Sequence, residues 1–125
     1  MSALSLAQEA YSASASPLRT SRGTEYEAFA RITAKIGSSA KSPKDNFATL
    51  AAALHENRQL WLLLATDVAD KANQLPEELR AQIFYLAEFT QHHSAKVLAG
   101  EATAEILVEI NTAVMKGLRA GGGAK

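Results

Sequence analysis

A chain of 125 residues with 47% hydrophobic and 21% charged residues has the composition of one soluble globular domain, large enough to bury a core unaided. It has no cysteine, which excludes thiol catalysis, disulfides and thiolate metal sites. Its formal net charge of +0 excludes the strongly basic footprint of an autonomous nucleic-acid binder. Charge asymmetry is mild: six Lys/Arg against four Asp/Glu over 1–45, four against six over 46–100, and three against three beyond. No apolar run approaches the ~20 residues of a membrane span. The start of the chain lacks the basic and apolar regions of a signal peptide, so a cytoplasmic location is expected.

Every periodic segment reads as helix, and alternating β-branched runs are missing. Residues 2–13 are Ala-rich with Leu4, Ala7 and Tyr11 on one face, which predicts a short helix, followed by a small-residue linker over 12–17. Thr24 and Glu27 form a capping box that opens a second helix, 25–36, carrying Phe29, Ile32, Thr33 and Ile36. Gly37 is its expected stop. A third helix, 43–72, starts from Ser42 as N-cap with Pro43 at its first position and Asp45 near the positive dipole end. Its inner stripe is Phe47, Leu50, Leu54, Asn57, Trp61, Leu64 and Val68, and Asn73 is placed to end it in a left-handed cap. Pro76 restarts the chain as a fourth helix, 76–99, burying Leu79, Ile83, Leu86, Ala87, Thr90, Ser94 and Val97, with Gly100 as its end. A fifth, 102–119, buries Ile106, Leu107, Ile110, Ala113 and Val114. Gly121-Gly122-Gly123 lies in an expected flexible tail, 120–125. The predicted fold is all-α: a compact single-domain helical bundle of about five helices. Its core is two long antiparallel helices plus the C-terminal helix.

Few residues suggest chemistry. Glu88 and His92 are four apart but lack a third ligand, and His55 beside Glu56 is no better. His92 and His93 diverge by about 100° on a helix. No nucleophile elbow, dinucleotide fingerprint or P-loop is present. An enzyme is not expected, nor any metal or cofactor.

The informative stretch is apolar excess. A surface helix needs one apolar stripe about 100° wide, yet Leu62-Leu63-Leu64 and Ile83-Phe84-Tyr85 each point in three directions. Leu60 and Leu63 flank or oppose the stripe of the third helix. Tyr85 lies nearly opposite Ile83, with Phe89 one turn along. Ala104, Val108, Asn111, Met115 and Leu118 form a second stripe on the fifth helix. Asn57, in the middle of an apolar stripe, either fixes helix register or meets a partner's backbone. The candidate partner-binding residues are therefore Asn57, Leu60, Leu63, Tyr85, Phe89, Val108, Asn111, Met115 and Leu118. The expected occupant is an apolar helix from elsewhere.

These same residues carry a resemblance. Asn57-Arg58 with Leu60-Trp61, Asp67-Val68-Ala69, Asn73-Gln74-Leu75-Pro76 and Leu79-Arg80-Ala81-Gln82-Ile83 belong to the pattern. So do Tyr85-Leu86-Ala87-Glu88-Phe89-Thr90, His93-Ser94, and Ile110-Asn111-Thr112-Ala113-Val114-Met115-Lys116-Gly117-Leu118. Over about 57–118 the chain resembles the flagellar biosynthesis regulator FlaF family of alphaproteobacteria. The resemblance implies a cytoplasmic, non-enzymatic flagellin-binding secretion chaperone that couples flagellin synthesis to export, working with the translational regulator FlbT. The partner would be a terminal helical segment of flagellin. The competing reading is a post-transcriptional regulator acting on flagellin mRNA or through FlbT. Arg19, Arg22, Arg31, Lys35, Lys41 and Lys44 are the only basic concentration, interleaved with no aromatics but Tyr26 and Phe29, so direct nucleic-acid binding is not expected.

Overall fold

The computed structural model describes residues 15–124, with side chains over 26–117. It contains four helices, α1 (Ala15–Ala40), α2 (Phe47–Ala69), α3 (Glu77–Leu98) and α4 (Glu105–Ala124), and no strand among the described residues. The all-α expectation is met with four helices rather than about five; the helix expected over 2–13 lies outside the described residues.

The boundaries differ from the sequence reading for identifiable reasons. Helix α1 runs straight through the expected linker end at Pro17, the capping box of Thr24 and Glu27, and the expected stop at Gly37. Pro17 falls in the first turn, where a backbone N–H has no intrahelical acceptor, so the ring costs no hydrogen bond. The last turn persists past Gly37 because Ser39 tucks inward, its hydroxyl donating to the Lys35 carbonyl at 2.6 Å. Helix α2 starts at Phe47, one turn later than Ser42 and Pro43 suggested. That preceding turn is closed by the Asn46 amide on the Ser42 carbonyl at 3.0 Å.

At the other end of α2, Asn73 does not take a left-handed cap. Asp70 is the C-cap in an extended conformation, and two side chains build the turn instead. Asp70 Oδ1 accepts from the Ala72 amide at 2.9 Å and Asn73 Oδ1 from the Leu75 amide at 3.0 Å. Arg80 then reaches back from α3, its Nε donating to the Val68 carbonyl at 2.9 Å and its Nη2 to the Asp70 carbonyl at 3.2 Å. A cation therefore satisfies carbonyls that the end of α2 leaves open. Helix α3 ends as expected at Gly100, in a left-handed conformation with φ of 78°. The Glu101 amide bonds to the Lys96 carbonyl and the Gly100 amide to the Val97 carbonyl, which together make a Schellman turn. Helix α4 runs on to Ala124 through the glycines assigned to a flexible tail. Glycine blocks no helical hydrogen bond; it only weakens the helix, by about 1 kcal/mol per residue.

Two apolar clusters form the core. One gathers Phe29, Trp61, Leu64, Ala65 and Ala87; the other gathers Ile32, Ile36, Leu50, Ala53, Leu54, Val97, Ala104 and Leu107. Phe29 and Trp61 meet edge to face, ring centroids 5.7 Å apart at 78°. Between members of the two clusters along α2, α3 and α4 lie the buried polar residues Asn57, Thr90, Ser94 and Asn111, and α1 adds buried Thr33. Asn111 Oδ1 accepts from the Trp61 indole N–H at 2.9 Å, and Asn111 Nδ2 donates to Thr33 Oγ1 at 3.0 Å and Asn57 Oδ1 at 2.8 Å.

That network corrects the orientation expected of α4. Leu107 and Asn111 of α4 are buried, as is Ala104 just before it, and Val108, Ile110, Val114 and Met115 are partly buried; Leu107, Ile110 and Val114 thus pack as expected, while Ile106 and Ala113 are exposed. The stripe read as a second face belongs to the inner side as well, because a buried indole N–H demands an acceptor and Asn111 is there to supply it. Phe47 and Leu79, expected inside, are exposed at the first turns of α2 and α3.

Replacing Asn111 by Leu leaves the Trp61 N–H and the Asn57 amide without their partner. Urea unfolding should show a loss of roughly 2–5 kcal/mol, against roughly 1–3 for Trp61→Phe, which strands only the Asn111 oxygen. Equal and negligible effects of both changes would contradict the network. Native Trp61 fluorescence should be blue-shifted and move red on unfolding.

Candidate partner-binding surfaces

The nine residues singled out from the sequence fall into three environments. Asn57 and Asn111 are sealed in the polar layer, at 0% and 1% exposure. Leu60, Val108 and Met115 are partly buried and packed against the core clusters. Phe89 is also partly buried, stacked on the His93 ring at 5.3 Å and 16°. The side chain of Leu118 lies outside the described residues. Leu63 and Tyr85 stand exposed.

Leu62 and Phe84, which were not among the nine, are exposed with them. The signal was in the runs themselves. Of Leu62-Leu63-Leu64 only Leu64 is buried, and of Ile83-Phe84-Tyr85 only Ile83 packs against the core. The antiparallel α2–α3 pair is pinned at both ends. Arg80 binds Val68 and Asp70 at one end. At the other, Arg58 Nε donates to Gln91 Oε1 and Gln91 Nε2 to the Arg58 carbonyl, both at 3.1 Å. This pairing sets Leu62 and Leu63 at the height of Phe84 and Tyr85. Arg58 marks the side of α2 that faces α3, and Leu62 lies one turn along it. Arg80 marks the corresponding side of α3, and Phe84 lies one turn along that. Leu63 and Tyr85, each about 100° further round, point outward. The four side chains form an apolar band across the outside of the helix pair.

Small residues explain why the band is outside. The face that α3 buries consists of Ala87, Thr90, Ser94 and Val97, and α2 and α3 pack more extensively than any other pair. Little volume is available there for aromatic rings. Helix α4 packs mainly on α1 and touches α3 sparsely. His93 Nε2 lies 2.8 Å from the Thr103 carbonyl, to which it must donate, and so ties α3 to the loop before α4.

A second concave surface lies at the end of the bundle where the α1–α2 and α3–α4 connections meet, a depression of about 950 Å³. Phe47, Leu50, Val97 and Val108 line it, with Lys41 and Lys44 at its edge. Among the described residues no three metal-ligating side chains converge, and no helix is long and apolar enough to cross a membrane.

Exposure and packing predict opposite mutational outcomes. Leu63→Ser and Tyr85→Ser should each change stability by less than about 0.5 kcal/mol in urea unfolding. Val108→Ser and Met115→Ser should each cost more than about 1 kcal/mol, because they remove packed apolar volume and insert a hydroxyl. The reverse pattern would mean that α4 presents its other face.

A family model for flagellar protein FlaF matches residues 7–118, and the chain belongs to that family. No curated protein and no solved structure matches it.

Proposed function

Starting from a flagellar protein of the FlaF family, we propose that this chain is a cytoplasmic, non-enzymatic flagellin-binding chaperone that couples flagellin synthesis to export. The observation that carries the reading is the band of Leu62, Leu63, Phe84 and Tyr85, exposed on a bundle whose core is already filled. Unpolymerised flagellin has terminal segments that become amphipathic helices in the filament. Such a helix lays an apolar face on the band, using anchors one turn apart. Ordering the segment on binding consumes part of the interaction energy, so the complex is reversible and suits handover to an export machine.

Regulation of flagellin expression is the second reading, and the charge distribution favours an indirect form through a protein partner such as FlbT. Arg31 and Lys35 are both engaged by Glu56, at 3.6 and 4.0 Å, on the exposed side of α1 and α2. Two of the six basic residues in the amino-terminal third are thereby partly neutralised, and of the two aromatics among them Phe29 is fully buried in the core.

Isothermal titration against purified monomeric flagellin tests the proposal. Leu63→Ser combined with Tyr85→Ser should weaken binding at least tenfold, about 1.4 kcal/mol, at unchanged thermal stability. The wild-type affinity should hold as salt is raised, since apolar docking is not screened, whereas binding to flagellin mRNA would fall steeply. Normal flagellin binding by the double variant removes the band from the site. A wild-type protein that ignores flagellin and binds its mRNA tightly ends the chaperone reading.

A further inference from the structure

The depression at the connection end of the bundle is hollow because the chain around it is short of side chains. Gly37, Ala40, Gly100 and Ala102 line it, and a Cβ built on Gly37 or Gly100 meets nothing within 4 Å. Its size, about 950 Å³, is that of clefts that hold ligands. Its floor is core: Leu50 and Val97 are buried and Val108 partly so. At its edge stands Phe47, which the stripe of α2 would place inside but which is 50% exposed. Lys41 and Lys44, on the α1–α2 connection, are exposed and have no ion-pair partner among the described residues. Glu105 contributes to the opposite side, at the start of α4.

We propose that this depression docks a large apolar side chain carried on an acidic stretch of a partner polypeptide. The apolar side chain fills the hollow against Phe47 and Leu50, and the flanking carboxylates meet Lys41 and Lys44. Glu105 repels those carboxylates from the other side, so the acidic flank lies toward the α1–α2 connection. A polypeptide suits the shape better than a lipid tail. The depression is about half open to solvent; an acyl chain needs burial along its whole length, whereas an anchoring side chain needs only its own. The site is separate from the outer band, since Phe47 and Leu62 are about 22 Å apart along α2 at about 1.5 Å per residue. It does not depend on what the band binds.

The test uses the full chain and three probes: a labelled peptide with one Phe flanked on both sides by Asp and Glu, its counterpart with Lys in place of each acid, and dodecanoate. Fluorescence anisotropy should show binding of the acidic peptide and none of the basic one. Amide shifts in ¹⁵N spectra should move at Ala40, Phe47, Gly100 and Ala102 and stay still at Leu63 and Tyr85. Gly37→Leu puts a side chain into the hollow at a helix-interior position where leucine is the better helix former. It should keep the melting temperature and weaken the acidic peptide at least tenfold. Lys41→Glu with Lys44→Glu, a surface change, should invert the preference between the two peptides. The proposal is overturned if the acidic peptide does not bind, if it binds Gly37→Leu as well as wild type, or if its shifts fall on the band. Displacement of the peptide by dodecanoate at comparable concentration would assign the hollow to an acyl ligand instead.

Discussion

The fold depends on a single amide. Trp61 is fully buried, and its indole N–H, a donor with no acceptor capacity, must be met inside the core. Asn111 meets it with its oxygen, which fixes the orientation of the amide and turns its nitrogen toward Thr33 and Asn57. One side chain thus uses three of its four hydrogen-bonding capacities to join α1, α2 and α4. The result is a polar layer between two apolar clusters. An apolar core tolerates small slips and rotations of its helices, because one methyl group replaces another. This layer does not: sliding α1, α2 or α4 by a turn breaks its bonds at about 1–3 kcal/mol for each group left unpaired. Register and rotation of three helices follow from it. Asn57 Nδ2, Thr90 Oγ1 and Ser94 Oγ have no hydrogen-bond partner among the described residues. All three lie on α2 and α3, the pair held instead by Arg58, Gln91 and Arg80 at its edges.

From that constraint the surface follows. With α4 turned so that Asn111 faces inward, Val108 and Met115 become packing residues and Ile106 is displaced outward. With α3 burying Ala87, Thr90, Ser94 and Val97, the side chains of Leu62, Leu63, Phe84 and Tyr85 are left on the outside. The exposed band is therefore not leftover hydrophobicity scattered at random. It is concentrated on the helix pair that is clamped by arginine hydrogen bonds, so the band is presented on a rigid support. Rigid presentation lowers the entropic cost of docking a partner helix.

Much of this was legible in the chain, and what was not has a common cause. Three-residue apolar runs showed that α2 and α3 carry more apolar surface than a core needs, and that excess is where the exposed band stands. The stripe of α2 from Leu50 to Val68 is the buried stripe, and Gly100 ends α3 as read. The two apolar stripes of α4 were read as opposite faces, whereas Leu107, Ile110 and Val114 of the first pack inward as read and share the inner side with Ala104, Val108, Asn111 and Met115 of the second, and only Ile106 and Ala113 turn outward. Counting apolar residues cannot set that rotation. Only the demand of Trp61 for an acceptor does, and that demand acts across 50 residues of sequence. Local signals misled in the same way at the ends. Thr24 with Glu27, and Ser42 with Pro43, are good helix starts, but each is a preference worth about 1 kcal/mol. Continuation of an already formed helix outweighs the first, and a single hydrogen-bonded turn absorbs the second. The depression beside Gly37 and Gly100 was invisible for a different reason: it is made of absent side chains where four helix ends come together.

Helix α2 is the element on which these features converge. Its inner face holds Asn57 and Trp61, its outer face carries Leu62 and Leu63, and its first turn offers Phe47 to the depression. The two surfaces share a support but no residues, so occupying one does not sterically exclude the other. Coupling between them would require a change in α2 itself. The polar layer opposes that change, because shifting α2 relative to α1 and α4 breaks the bonds of Asn57 and Trp61 to Asn111. A partner on the band and an acidic segment in the depression should accordingly bind with nearly additive free energies, the expectation for independent sites on one rigid body.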